Sequence, residues 1–84
     1  VENIFQNKCV AYFSTHKLIV NIELLNMCSL TISVYDMQGK LVKEENVTGE
    51  AGQNSFALNS DFAKGLYIIK LISNDTSIIK KALN

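Results

Sequence analysis

The chain contains no arginine, no proline and no tryptophan, and its 84 residues include one histidine and two cysteines. Each absence excludes something. Without Arg there is no bidentate fork to read phosphate or a guanine edge. Eight Lys offset eight acidic residues for a formal charge of zero, so no basic excess is available to displace counterions from a nucleic acid. No apolar run approaches the roughly 20 residues of a membrane-spanning helix. A hydrophobic share of 48 % with balanced charge excludes a disordered tail.

What remains is one small domain, 1–84. A chain of this size hides only about 60 % of the surface its unfolded form exposes, so its core is thin. A thin core leaves little room for a preorganised pocket with a supporting shell, and composition favours a module over an enzyme. The first residue is Val1, and no charged segment followed by an apolar one succeeds it. The expectation is a processed product or a module cut from a longer protein.

Periodicity is that of strands. Leu18, Val20, Ile22 and Leu24 alternate with Ile19, Asn21 and Glu23; Leu30, Ile32 and Val34 with Thr31, Ser33 and Tyr35; Asn54, Phe56 and Leu58 with Ser55 and Ala57. Tyr67, Ile69 and Leu71 alternate with Leu66, Ile68, Lys70 and Ile72. A period of two marks half-buried strands. The pattern predicts about seven, at 9–13, 18–24, 30–35, 40–45, 53–58, 65–73 and 76–83. The last carries an apolar residue and a Lys on each face, as an edge strand guarded against edge-to-edge pairing would.

The connections agree with this. Asp36-Met37-Gln38-Gly39 puts Asp where a type I turn begins and Gly where a left-handed residue closes a short hairpin. Asn74-Asp75 suits a tight turn, Gly49–Gly52 a looser one, and Ser14–Lys17 is the only break between two apolar runs. Residues 59–64 read as a short loop or a single helical turn. About seven strands with turns every 8 to 12 residues suggest an all-β, immunoglobulin-like antiparallel sandwich. Tyr67, just inside the longest strand, stands where such sandwiches place a Tyr that bonds back to the preceding corner.

Candidate chemistry is sparse. His16 and Cys9 could formally make a nucleophilic pair, but nothing supplies an orienting third group, and one His with two Cys falls short of a zinc site. Neither a metal nor a cofactor is expected. Asp36 with Gly39 lacks the further oxygens of a calcium loop. Glu44-Glu45 and Lys80-Lys81 lie on strands, where neighbours point to opposite faces, so neither pair forms a dyad or clamp. Asn46-Val47-Thr48 and Asn74-Asp75-Thr76 fit the N-glycosylation pattern, although chance matches are expected in an Asn-rich chain. The aromatics Phe5, Tyr12, Phe13, Tyr35, Phe56, Phe62 and Tyr67 read mostly as core.

If strands 9–13 and 18–24 form a hairpin, residue numbers across it sum to about 31 and Cys9 faces Ile22. Cys28 then lies level with Asn3, roughly 20 Å from Cys9, whereas a disulfide needs Cα atoms within about 7 Å. Two free, buried thiols are expected.

Three segments in series carry a more specific signal: Ile32–Val42 around Tyr35-Asp36-Met37-Gln38-Gly39-Lys40-Leu41; Asn54-x-Phe56-x-Leu58 followed by Lys64-Gly65-Leu66-Tyr67-Ile68-Ile69-Lys70-Leu71; and Lys80-Lys81 near the end. Together, over roughly 18–84, the chain resembles the type A C-terminal sorting domain of type IX (Por) secretion cargo from Bacteroidetes. The resemblance implies a non-enzymatic sandwich at the C-terminus of a larger exported protein. It implies recognition by an outer-membrane translocon, removal by a sortase-type peptidase, and passage of the upstream cargo through the periplasm to the cell surface or medium. The motif positions fall on Tyr35, Asp36, Gly39, Leu41, Gly65, Tyr67, Lys70, Lys80 and Lys81. Many members open with a Tyr-Pro-Asn-Pro-like segment; here Ala11-Tyr12-Phe13-Ser14-Thr15 stands in its place, able to form a fully hydrogen-bonded strand.

On this reading recognition by a partner depends on residues 76–84, through β-augmentation. The rival reading is a fibronectin-like or carbohydrate-binding module of an adhesin or polysaccharide-degrading enzyme, which an exposed aromatic row on one sheet face would favour. Edge strands at 9–13 and 76–83 could pair between copies, but no dimer is expected.

Overall fold

The alternating apolar residues form seven antiparallel strands: β1 (Phe5–Ser14), β2 (Lys17–Leu24), β3 (Cys28–Tyr35), β4 (Leu41–Gly49), β5 (Gly52–Asn59), β6 (Leu66–Ser73) and β7 (Thr76–Leu83). The structure, a computed structural model, describes residues 5–74 and 76–84, with 5–8 described for the backbone alone. Two sheets result, one of three strands in the order β1-β2-β5 and one of four in the order β4-β3-β6-β7. This is an immunoglobulin-like sandwich. Its fourth strand pairs with β3 and so lies in the four-stranded sheet.

Three strands run well past the apolar periodicity, β3 among them, since it starts at Cys28. β4 continues through Asn46, Val47, Thr48 and Gly49 because each finds a ladder partner in β3, from Thr31 back to Cys28. Pairing of this kind overrides weak local propensity. β1 reaches back to Phe5, opposite Leu24, after a register shift between Phe5 and Cys9. Residues 60–65 form an irregular connection, not the helical turn that was the other possibility.

The inner faces meet in one core. Leu18, Val20, Ile22 and Leu24 of β2 pack with Leu30, Ile32 and Val34 of β3 and with Tyr67, Ile69 and Leu71 of β6; Leu58, Cys9 and Ala82 complete it. Strand alternation alone puts these side chains on one side. Gly49, at the end of β4, is buried against Leu24, whose Cδ1 occupies the space a Cβ would need.

The sandwich is closed along one side by its first and last strands. β1 packs against β7, and the half-buried Lys80 of β7 acts electrostatically on Cys9 of β1. At the other edge of the four-stranded sheet, Lys43 and Glu45 of β4 form a partly exposed ion pair (3.5 Å), although they pair in register with the core residues Val34 and Ile32.

Candidate functional site

The β3–β4 hairpin holds four of the residues expected to carry the motif, Tyr35, Asp36, Gly39 and Leu41, and is built by one carboxylate. Asp36 Oδ1 accepts the backbone N–H of Gln38 at 2.9 Å and of Lys40 at 3.0 Å. The Asp36 carbonyl accepts Gly39 N–H at 3.0 Å, and Asp36 N–H donates to the Lys40 carbonyl at 2.9 Å. Gly39 has φ 84°, the left-handed residue such a turn requires. Asp36 Oδ1 and the Asp36 carbonyl thus both serve the turn itself. Beyond the turn the register shifts, Val34 pairing with Lys43 but Tyr35 with Leu41. Val42 is the extra residue of this bulge, and it brings Leu41 beside Tyr35.

A second group gathers where 60–65 meets β6. The Tyr67 hydroxyl donates to the Ala63 carbonyl at 2.7 Å, the corner bond expected of its position. Its ring lies 5.3 Å from that of Phe62 and 5.7 Å from that of Phe13. Gly65 takes φ 152° and exchanges two backbone hydrogen bonds with Asn84. The Asn84 amide also donates to the carbonyls of Phe62 and Ala63, at 3.1 and 3.2 Å. Sequence reasoning missed Asn84, because a single terminal Asn carries no periodic signal.

The three remaining candidates do not form one cluster. Lys80 shares the inner face of β7 with Ile78 and Ala82, while Lys81 lies on the outer face, as alternation requires. Lys70 is on the outer face of β6, paired with Ser33 on one side and Ile79 on the other. Tyr35, Lys70 and Lys81 therefore share the solvent face of the four-stranded sheet, with Leu41 at its margin. The buried Ser33 hydroxyl on that face donates to Glu44 Oε2 at 3.2 Å.

Both cysteines are free, and Cys9 stands opposite Ile22 as the hairpin arithmetic expects; Asn3, the other residue of that argument, lies outside the described residues. Burial pushes the Cys9 thiol up, with Lys80 a smaller opposing influence. Cys28 is half-buried, not buried as expected, since it opens β3 beside the exposed 25–27 link. His16 is exposed in the β1–β2 turn, where Thr15 and His16 have φ 44° and 63°. An open groove of about 520 Å³ lies beside this turn, between it, residues 60–64 and Asn84. Among the described residues no three His, Cys, Asp or Glu side chains are placed to hold a metal.

Asn46 sits within β4, its Oδ1 accepting the Thr31 hydroxyl at 2.8 Å. Asn74 is exposed in the β6–β7 turn with φ 52°, and Asp75 of the same triplet is outside the described residues. Among the described residues Tyr12 is the one aromatic ring substantially exposed, at 45 %; Tyr67 is core, and Phe13, Phe56 and Phe62 pack against it.

The fold and its hydrogen-bonded corners define an immunoglobulin-like module in which the residues expected to carry the motif lie in a turn, at a corner and on both faces of one sheet. The family model described as the secretion system C-terminal sorting domain matches residues 14–83. The chain belongs to this family, the sorting domains of type IX secretion. No curated protein matches the chain.

Proposed function

We propose that this chain is a C-terminal signal that carries an upstream cargo protein through the type IX system to the cell surface or the medium. The family match over residues 14–83 carries the reading. Residues 1–84 form the sorting domain of a larger exported protein. Its work is recognition rather than catalysis, with an outer-membrane translocon reading it and a sortase-type peptidase removing it. No helix among the described residues is long and apolar enough to cross a membrane.

Recognition involves β7, an edge strand whose unpaired side can add to a partner's sheet. Simple truncation is a poor test, because removing 76–84 also withdraws Ala82 from the core and Ile78 from its margin. The decisive experiment fuses residues 1–84 to a periplasmic reporter in a type IX-competent host. Surface exposure of the reporter is expected. A reporter retained in the periplasm would overturn the reading.

A further inference from the structure

The solvent face of the four-stranded sheet has two unlike halves. On β3 and β4 it carries Ser29, Thr31, Ser33, Glu44, Asn46 and Thr48, placed together by register, with Tyr35 and Leu41 at the turn end. That is the polar surface an antiparallel sheet normally turns to water. On β6 and β7 the same face pairs Leu66 with Leu83, Ile68 with Lys81, Lys70 with Ile79 and Ile72 with Ser77. Ile79 is 59 % exposed and Leu83 74 %. Two ammonium groups, those of Lys70 and Lys81, thus stand diagonally to each other among aliphatic side chains.

The charges identify the occupant. Among the described residues the Lys43–Glu45 pair is the ion pair present, and neither Lys70 nor Lys81 has a carboxylate partner. Glu44, on the same face, is taken up by Ser33. A second copy is a poor fit, because stacking this half-face on itself would bring the ammonium groups together without a counter-charge.

We propose that the β6–β7 outer face is a docking surface for a protein partner that presents aliphatic residues interspersed with Asp or Glu. Leu66, Ile68, Ile79 and Leu83 supply the apolar contact, and Lys70 and Lys81 supply the register. The inference rests on the sorting reading for its setting, in which the partner belongs to the export machinery. It locates contact on a sheet face, whereas augmentation uses only the backbone edge of β7.

The test uses the reporter fusion in the type IX-competent host, with Lys70→Glu/Lys81→Glu and Ile79→Ser/Leu83→Ser as separate variants. Asn46→Lys/Thr48→Lys, on the polar half, serves as control. Thermal unfolding of each purified 84-residue variant establishes that it folds. Surface display should fall at least about tenfold for both β6–β7 variants and stay unchanged for the control. If the unaltered fusion is exported and both folded β6–β7 variants are exported equally well, the docking surface is refuted while the sorting reading stands. If the unaltered fusion is retained, the sorting reading itself fails. Two further results would overturn the choice of partner: binding of the purified domain to phosphatidylglycerol vesicles that Lys70→Glu/Lys81→Glu abolishes, or a dimer in sedimentation velocity that the same variant dissolves.

Discussion

The Tyr67 hydroxyl donates to the Ala63 carbonyl at 2.7 Å, and the Asn84 amide approaches the same oxygen at 3.2 Å. One acceptor thus ties the start of β6 and the end of β7 to a single point in the 60–65 link. Tyr67→Phe keeps the ring against Phe13 and Phe62 and leaves the Ala63 carbonyl with Asn84 as donor. Its expected cost is about 1 kcal/mol, read as a lower urea midpoint at unchanged slope. Tyr67→Phe/Asn84→Ala should cost more than the two single changes summed, because only the double variant strips that carbonyl of both donors.

Gly49 is required by a neighbour rather than by its own backbone. Gly49→Ala drives a methyl into Leu24 Cδ1, in a core where Leu24 is 2 % exposed. A loss of about 1–3 kcal/mol is expected. Leu24→Val beside it should recover part of that loss, and a double-mutant cycle by chemical denaturation would show the coupling.

Asp36 is expected to matter as an acceptor and not as a charge. Asp36→Asn retains an oxygen for Gln38 and Lys40 and should stay within about 0.5 kcal/mol of the parent, whereas Asp36→Ala should lose about 1–2 kcal/mol. Equal losses in the two variants would contradict the assignment.

Thr15 and His16 both lie at positive φ, a conformation that is costly for a β-branched residue. Replacing them with Asn-Gly, the pair favoured in such two-residue turns, should raise stability by about 1 kcal/mol. A calorimetric melting temperature that failed to rise would argue against strain at this turn.

Cys9 makes stability depend on pH in one direction. Its folded pKa is raised by burial, so the unfolded chain releases the thiol proton first. Above the unfolded value of about 8.5 the unfolded state binds fewer protons, and stability declines as pH rises toward the folded value. Urea midpoints between pH 8 and 10 should fall more steeply for the parent than for Cys9→Val. In the native state, iodoacetamide should modify the half-buried Cys28 well before Cys9.

Much of the fold was legible because the core-facing strands β2, β3 and β6 alternate cleanly, and because Asp36–Gly39 and Tyr67 carry local turn and corner chemistry. The polar end of β4 was not. Asn46 and Thr48 are held in the ladder by β3, and no window of β4 alone contains that information. Asn84 and Gly49 escaped for the same reason, since each matters through contacts with distant segments. The docking face left a trace in Leu66, Ile68, Lys70 and Ile72, which make the outward side of β6 nearly as apolar as its inward side. Which of these residues lie beside Lys81 depended on the β6–β7 register.

The contact between β1 and β7 joins the first strand to the last. Ala82, two residues from the end, is part of the core. A chain that emerges from a ribosome or a pore in N-to-C order can therefore pair β1 with β2 early, but it cannot seal that side of the sandwich until its final strand is free. Completion of the fold therefore waits on β7, because the β1–β7 side closes only once that strand has paired with β6 and packed on β1.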